Sequence, residues 1–187
     1  NARDDLISAL HGLLGKAQYI GIHHRLDAPT SGCVLFTTKE DMNTFAANLF
    51  QENLIQKRYL AVVTLPHPPQ EKMWEIKNQL ARAEKKKNIY ASVKTEGSFA
   101  HSRFELLQAK GELALIACEP VTGRTHQLRV HLSESGMPIL GDRTYQRKEY
   151  SRLMLHAWRL AFRHPTGDRE VTVEAPAPEE FKKLFDL

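Results

Sequence analysis

Apolar positions recur at helical spacing in Leu6, Ile7, Leu10, Leu13 and Leu14, with Asp4 or Asp5 as N-cap and Gly15 as stop, so residues 4 to 15 predict a short amphipathic helix. Cys33 to Phe36 is a continuous apolar run, the pattern of a buried strand. Thr38 with Asp41 offers a capping box for a second helix, with Met42, Phe45, Ala46, Leu49 and Phe50 on one face and Asn53 at its end. Residues 57 to 64 carry the β-branched and aromatic content of a strand, which Pro66, Pro68 and Pro69 then forbid from continuing. From Glu71 to Lys87 charges dominate without a clean period, and the stretch reads as an exposed insertion. Asn88 to Lys94 alternates, and Phe99 to Leu107 and Leu113 to Cys118 predict antiparallel neighbours joined at Lys110-Gly111.

Gly123 ends a turn, Thr125 is placed to cap the next helix, and Leu128 and Leu132 give that helix a buried face until Gly136 stops it. Thr125, His126 and Arg129 fall on a different face from those leucines. Leu155 to Phe162 and Val171 to Val173 predict two further strands, and Pro178 opens a closing helix with Phe181, Leu184 and Phe185. Strands outnumber helices and the helices interrupt them irregularly. The expectation is an α+β fold around a mixed, mostly antiparallel central sheet with flanking helices.

The 187 residues, 42% hydrophobic and 26% charged, suit one domain, taken here as 1–187, that buries a core without disulfides. Cys33 and Cys118 each sit inside an apolar run and read as reduced core thiols of a cytoplasmic protein. No apolar stretch approaches the length of a membrane span. The start at Asn1-Ala2 without methionine resembles a remnant of tag cleavage, the expectation being an excised domain. A net charge of +4 is a mild excess that fits a polyanionic partner without requiring one.

Nine histidines invite a metal reading, but His23-His24, His126 with His131, and His156 match no zinc spacing. Residues 12 to 17, GLLGKA, fail the phosphate-loop pattern in spacing and in lacking a hydroxyl after the lysine, so no nucleotide cofactor is implied. Neither a deaminase signature nor a G-x-S-x-G elbow is present.

Three polar segments lie at junctions between predicted elements, where sites are commonly built. The first is His24-Arg25-Leu26-Asp27-Ala28-Pro29-Thr30-Ser31-Gly32. The second is Lys57-Arg58-Tyr59-Leu60-Ala61-Val62. The third is Gly123-Arg124-Thr125-His126-Gln127-Leu128-Arg129-Val130-His131-Leu132, with Gly136, Pro138-Ile139 and Gly141-Asp142 behind it. Taken alone, each has a plain structural explanation: a surface ion pair, a strand aromatic, a capped helix with basic residues on its wet face. Together and in this order they resemble the RluA-type pseudouridine synthases, as do Leu155-His156-Ala157, His164-Pro165 and Ala175-Pro176-Ala177-Pro178. The family's usual opening strand pair with an N-K-P segment has no counterpart here, which implies truncation or a differently completed sheet. Ala28-Pro29 and the 71 to 87 stretch also depart from its pattern.

The resemblance implies a cofactor-free enzyme that isomerises uridines in tRNA or rRNA, acting as a monomer. Asp27 would be the catalytic carboxylate, Arg129 its cationic partner with a planar fork able to engage both oxygens, and Tyr59 a ring beside the target base. Arg25 would fill the stack vacated by the extruded base, and Leu128 would line the uracil pocket with Tyr59. His24, Leu26, Thr30, Arg124, Thr125, His126, Gln127 and His156 complete the expected substrate-contacting set. Rival readings are a non-catalytic RNA-binding module and a glycosylase that releases free uracil.

Overall fold

The computed structural model describes residues 5–65, 69, 71–84, 88–146, 149–167 and 169–187. Asn1-Ala2, Asp4, Pro66, Pro68 and the Lys85 to Lys87 run lie outside the described residues. The chain opens with helix α1 (Leu6–Leu14), in which the Asp5 carboxylate accepts from the Ser8 N–H and Gly15 closes the end at φ 101°. Its apolar stripe is not buried among the described residues, and Leu6, Leu13 and Leu14 are exposed.

Strand β1 (Gly21–Ile22) pairs antiparallel with β3 (Phe36–Thr37) in a small two-stranded sheet. Between them, β2 (Ser31–Gly32) adds to the main sheet, so the apolar run Cys33 to Phe36 is not the single buried strand expected from the sequence. The run is divided: its start follows β2 into one sheet and its end belongs to the other. The capping box is likewise absent. A 3-10 turn at Glu40–Met42 with no side-chain cap leads into α2 (Asn43–Gln51), whose Ala46 and Leu49 are buried and which Asn53, at φ 54°, turns away from.

The main sheet is built from β4 (Gln56–Thr64), β5 (Met73–Glu84), β6 (Ile89–Val93), β7 (Ser98–Lys110), β8 (Leu113–Pro120), β9 (Leu155–Arg163) and β10 (Glu170–Glu174). Its order is β10-β9-β4-β8-β7-β5-β6, antiparallel throughout, with β2 joining β9 as the parallel pair. The fold is therefore α+β on a mixed, mostly antiparallel sheet. Leu60 to Val63 and Ala114 to Cys118 are buried at consecutive positions, so the central strands β4 and β8 are covered on both faces, which is why they read as unbroken apolar runs.

The largest departure from the sequence reading is β5. Trp74, Ile76 and Leu80 alternate with exposed Met73, Glu75 and Lys77, and the Trp74 ring stacks on Phe104 at 5.4 Å. A period of two is present over 73 to 80, but flanking charges hide it in any longer window. Helix α3 (Gln127–Glu134) packs against β6, β7 and β8 and sends Leu128 and Leu132 into the main core. The short α4 (Glu179–Lys182), opened by Pro178, closes that core with Phe181 and nearby Phe185. No helix among the described residues is long and apolar enough to cross a membrane.

Candidate active site

Asp27 stands in the loop between β1 and β2, in a tight turn closed by the Thr30 N–H donating to the Asp27 carbonyl at 2.8 Å. That loop is fixed from below. Ser31 and Gly32 lie in register with His156 and Ala157 of β9, and Gly32 takes φ 119° with its α-carbon so close that an added Cβ would fall 2.1 Å from the Ala157 carbonyl oxygen. Only glycine fits there. The Ser31 hydroxyl accepts from Arg152 Nη2 at 2.5 Å and donates to His156 Nδ1 at 2.7 Å, while His156 Nε2 donates to the Ala175 carbonyl. Burial lowers the His156 pKa, consistent with the neutral ring that this pattern requires.

The second support is the turn into α3. Thr125 does not cap the helix: His126 occupies the N-cap in the left-handed region, φ 57°, without a side-chain cap bond. Gln127 does the holding instead. Its Oε1 accepts from the Arg124 N–H and the Thr122 hydroxyl, and its Nε2 donates to the His101 carbonyl and Ser102 Oγ. Thr122 to His126 is thereby tied to β7.

Arg129, one turn into α3, is buried rather than wet-faced, with a side chain 5% exposed. Its fork is not directed at both oxygens of Asp27, as the sequence reading has it. Nε and Nη2 grip the two oxygens of Asp142 at 2.7 and 2.8 Å, and only Nη1 reaches Asp27 Oδ2, at 3.2 Å. Asp142 is 1% exposed and also accepts from the Thr144 and Tyr145 N–H groups. Burial works against the Arg129 charge, but Asp142 and then Asp27 more than offset it and hold the guanidinium protonated above its ordinary range. Tyr145 completes the frame: its ring lies 5.2 Å from the guanidinium carbon, and its hydroxyl contacts His126 Nδ1 and accepts from the Tyr90 N–H, both at 2.9 Å. His126 Nε2 then faces Asp27 Oδ2 at 3.9 Å, with burial and the adjacent Arg129 charge lowering the imidazole pKa.

Asp27, His126 and Arg129 border a cleft of about 420 Å³. Of the residues expected from sequence, His24, Arg25, Leu26, Asp27, Thr30, Tyr59, Arg124, His126, Gln127, Leu128 and Arg129 line it. Thr125 is exposed away from the lining, and His156 lies behind the Asp27 loop, where it supports Ser31. The Gln127 amide is fully occupied in clamping the backbone. His24 is also committed, accepting the Leu35 N–H at 2.7 Å and stacking on Phe50 at 4.2 Å. Its pKa is pushed down to about 4 by burial, then by Lys57 and His23. The Thr30 hydroxyl is buried without a partner in the described structure. Tyr59 projects from β4, and burial, then the nearby Asp27 carboxylate, pushes its phenol pKa up, so the ring stays neutral. Among the described residues no group of three or more His, Cys, Asp or Glu is placed to hold a metal ion.

Asp142 and Tyr145 are the members that sequence reasoning missed. Gly141-Asp142 stands behind the third segment without a role assigned to it, and nothing in the local pattern announces a partner 13 positions back on a helix. The arrangement as a whole offers one carboxylate, 19% exposed and braced by a cation, in a cleft walled by Tyr59, Leu26, Leu128 and Leu155. That suits a planar, mostly apolar group held beside a nucleophile or base.

The model of the RNA pseudouridylate synthase family matches residues 4–134. The chain is 33% identical over 200 residues to a ribosomal large subunit pseudouridine synthase C of Salmonella typhi, covering 97% of this chain and 60% of that one. The Vibrio vulnificus protein of the same name is 32% identical over 192 residues, 95% of this chain and 58% of its own length. The chain thus spans about three fifths of these relatives. Among solved structures, human RNA pseudouridylate synthase domain containing 1 superposes with a TM-score of 0.75 at 27% identity, over 91% of this chain and 74% of that one. Human RNA pseudouridylate synthase domain containing 4 shares the fold, with a TM-score of 0.76 at 24% identity over 93% and 78% of the two chains. With its three polar segments brought to one cleft in the order the motifs set, the chain belongs to the RNA pseudouridylate synthase family, on its RluA-type branch.

Proposed function

We propose that residues 1–187 form one catalytic domain that converts uridine in ribosomal or transfer RNA to pseudouridine, with Asp27 as the reacting carboxylate. The observation that carries this reading is Asp27, partly open to the cleft and held by Arg129 Nη1, while the rest of the guanidinium is anchored on Asp142. The reaction cleaves the N1–C1′ bond, turns the uracil while it remains bound, and joins C5 to the same C1′. A proton leaves C5 and one is gained at N1, so atoms balance and no co-substrate is consumed. Asp27 serves either by adding to C1′, as in retaining glycoside chemistry, or by taking a proton from C2′. Both roles need the carboxylate held in place beside the sugar, and Arg129 Nη1 donates to its Oδ2 at 3.2 Å.

Tyr59, kept neutral, acts as a stacking ring and hydrogen-bond donor to the base rather than as a ready general base. Leu128 covers the base from the α3 side. Arg25 is exposed at the mouth with no hydrogen-bond or ion-pair partner among the described residues, which supports its insertion into the stack vacated by the everted uridine. Everting a base costs a few kcal/mol, which such filling offsets in part. The enzyme would act in the cytoplasm as a monomer.

The test is incubation of the protein with total ribosomal and transfer RNA from cells lacking it, followed by digestion and separation of nucleosides. Pseudouridine at discrete positions is expected. Free uracil would instead identify a glycosylase, and unchanged uridine with retained RNA binding would identify a binding module.

A further inference from the structure

Lys57 is not accounted for by the chemistry above. It lies on β4 two positions before Tyr59, so both side chains leave the same face of the strand, about 7 Å apart along it. Both line the cleft. Arg58, on the opposite face, has a carboxylate partner, Glu105, at 3.6 Å. Lys57 has none: no ion pair or hydrogen bond joins its ammonium to another described residue. The group is partly buried and rests against the Gly123 turn, where a Cβ on Gly123 would lie 3.8 Å from Nζ. The Lys57 charge acts on His24, whose protonated form it repels. Burial lowers the Lys57 pKa with no compensating partner.

A partly desolvated ammonium without a counter-ion is costly, and such positions persist where a ligand supplies the missing charge. Stem packing alone would let the amine reach water away from the cleft; here it is turned towards Gly123 inside the lining. Tyr59 marks where a base would stack, and the two-residue span of about 7 Å from it to Lys57 is comparable with the span from a nucleobase to its own backbone phosphate.

We propose that Lys57 forms a phosphate subsite, binding the backbone phosphate of the nucleotide whose base enters the cleft. The inference rests on the reading of the cleft as a uridine site and deepens it. The subsite would fix the sugar while the uracil turns, because a charge-assisted contact to phosphate holds the nucleotide by a part that does not move.

The test uses small probes and no turnover. Uridine, uridine 5′-monophosphate, uridine 3′-monophosphate and inorganic phosphate are titrated into wild type, Lys57→Met and Lys57→Arg, with binding read by calorimetry and the Lys57 side-chain resonance followed by NMR in wild type. One of the two monophosphates is expected to shift the Lys57 resonance and raise its titration midpoint, and which one responds identifies the 5′ or 3′ phosphate. Lys57→Met should weaken that monophosphate roughly tenfold or more and leave uridine unchanged, with Lys57→Arg retaining most of the affinity. Equal losses for uridine and monophosphate would mean that the stem merely packs, and no response of Lys57 to either monophosphate would overturn the subsite outright. If RNA yields no pseudouridine, the isomerase reading fails by itself, since phosphate-selective binding is measured without catalysis.

Discussion

Asp142 shows how much of this site depends on a residue that cannot touch the substrate. Both of its oxygens are taken by Arg129 Nε and Nη2, and two backbone N–H groups complete its coordination, so the guanidinium plane that meets Asp27 is set from behind. Asp142→Asn preserves shape but leaves Arg129 buried against a neutral partner. Breaking a buried pair in this way costs about 3–5 kcal/mol, less here because Asp27 remains. The expected outcome is a lower urea midpoint together with a loss of at least about tenfold in kcat/KM per folded molecule at nearly unchanged RNA affinity, corresponding to about 1.4 kcal/mol or more of lost transition-state stabilisation. A stability loss with normal turnover would show that Asp27 does not depend on the Arg129 pose. The sequence carried Asp27 and Arg129 openly, because each sits in a polar segment at an element junction. It gave Asp142 no role and did not single out Tyr145, because their partners are reached only once α3 and the following loop fold back on each other.

At the scale of elements, the strands rich in β-branched residues were legible, and the failures have a common cause. β5 alternates correctly over Trp74, Ile76 and Leu80, but neighbouring charges made the segment look like an exposed insertion. β2 and β3 are two residues each, too short for any period, and their existence is decided by pairing with β9 and β1. The His126 N-cap in the left-handed region also has no local signature, since the Gln127 clamp that holds it reaches across to β7. Because Gln79 and Leu80 of β5 are paired on both sides, with β6 and with β7, their amides should exchange slowly. Native-state hydrogen exchange should give Leu80 protection similar to its partner strand β7. Exchange at the rate of an unstructured loop would contradict the register described here.

At the scale of the whole molecule, two neutral histidines, His131 buried and His24 half-buried, tie stability to pH. His24 accepts the Leu35 N–H, and His131, 1% exposed, bridges Ser102 and Asn78; burial pushes both pKa values from 6.5 down to about 4. The unfolded chain therefore takes up protons below pH 6.5 that the folded chain refuses, so stability is fully present above that pH and is lost as pH falls towards 4. Thermal melts across this window should show a falling midpoint, and NMR titration should find both imidazoles still neutral at pH 5.5. Ordinary midpoints near 6.5 for both would remove this contribution.

Whether the Asp27 carboxylate performs the isomerisation is decided by Asp27→Asn, read as pseudouridine formed in a single turnover on the RNA that the wild type modifies, with binding to the same RNA measured in parallel. Asparagine keeps the volume and a contact to Arg129 but cannot add to C1′ or take a proton from C2′. No detectable pseudouridine is expected, with RNA affinity within a few fold of wild type. Pseudouridine formed at a rate near the wild type's would exclude Asp27 as the reacting group.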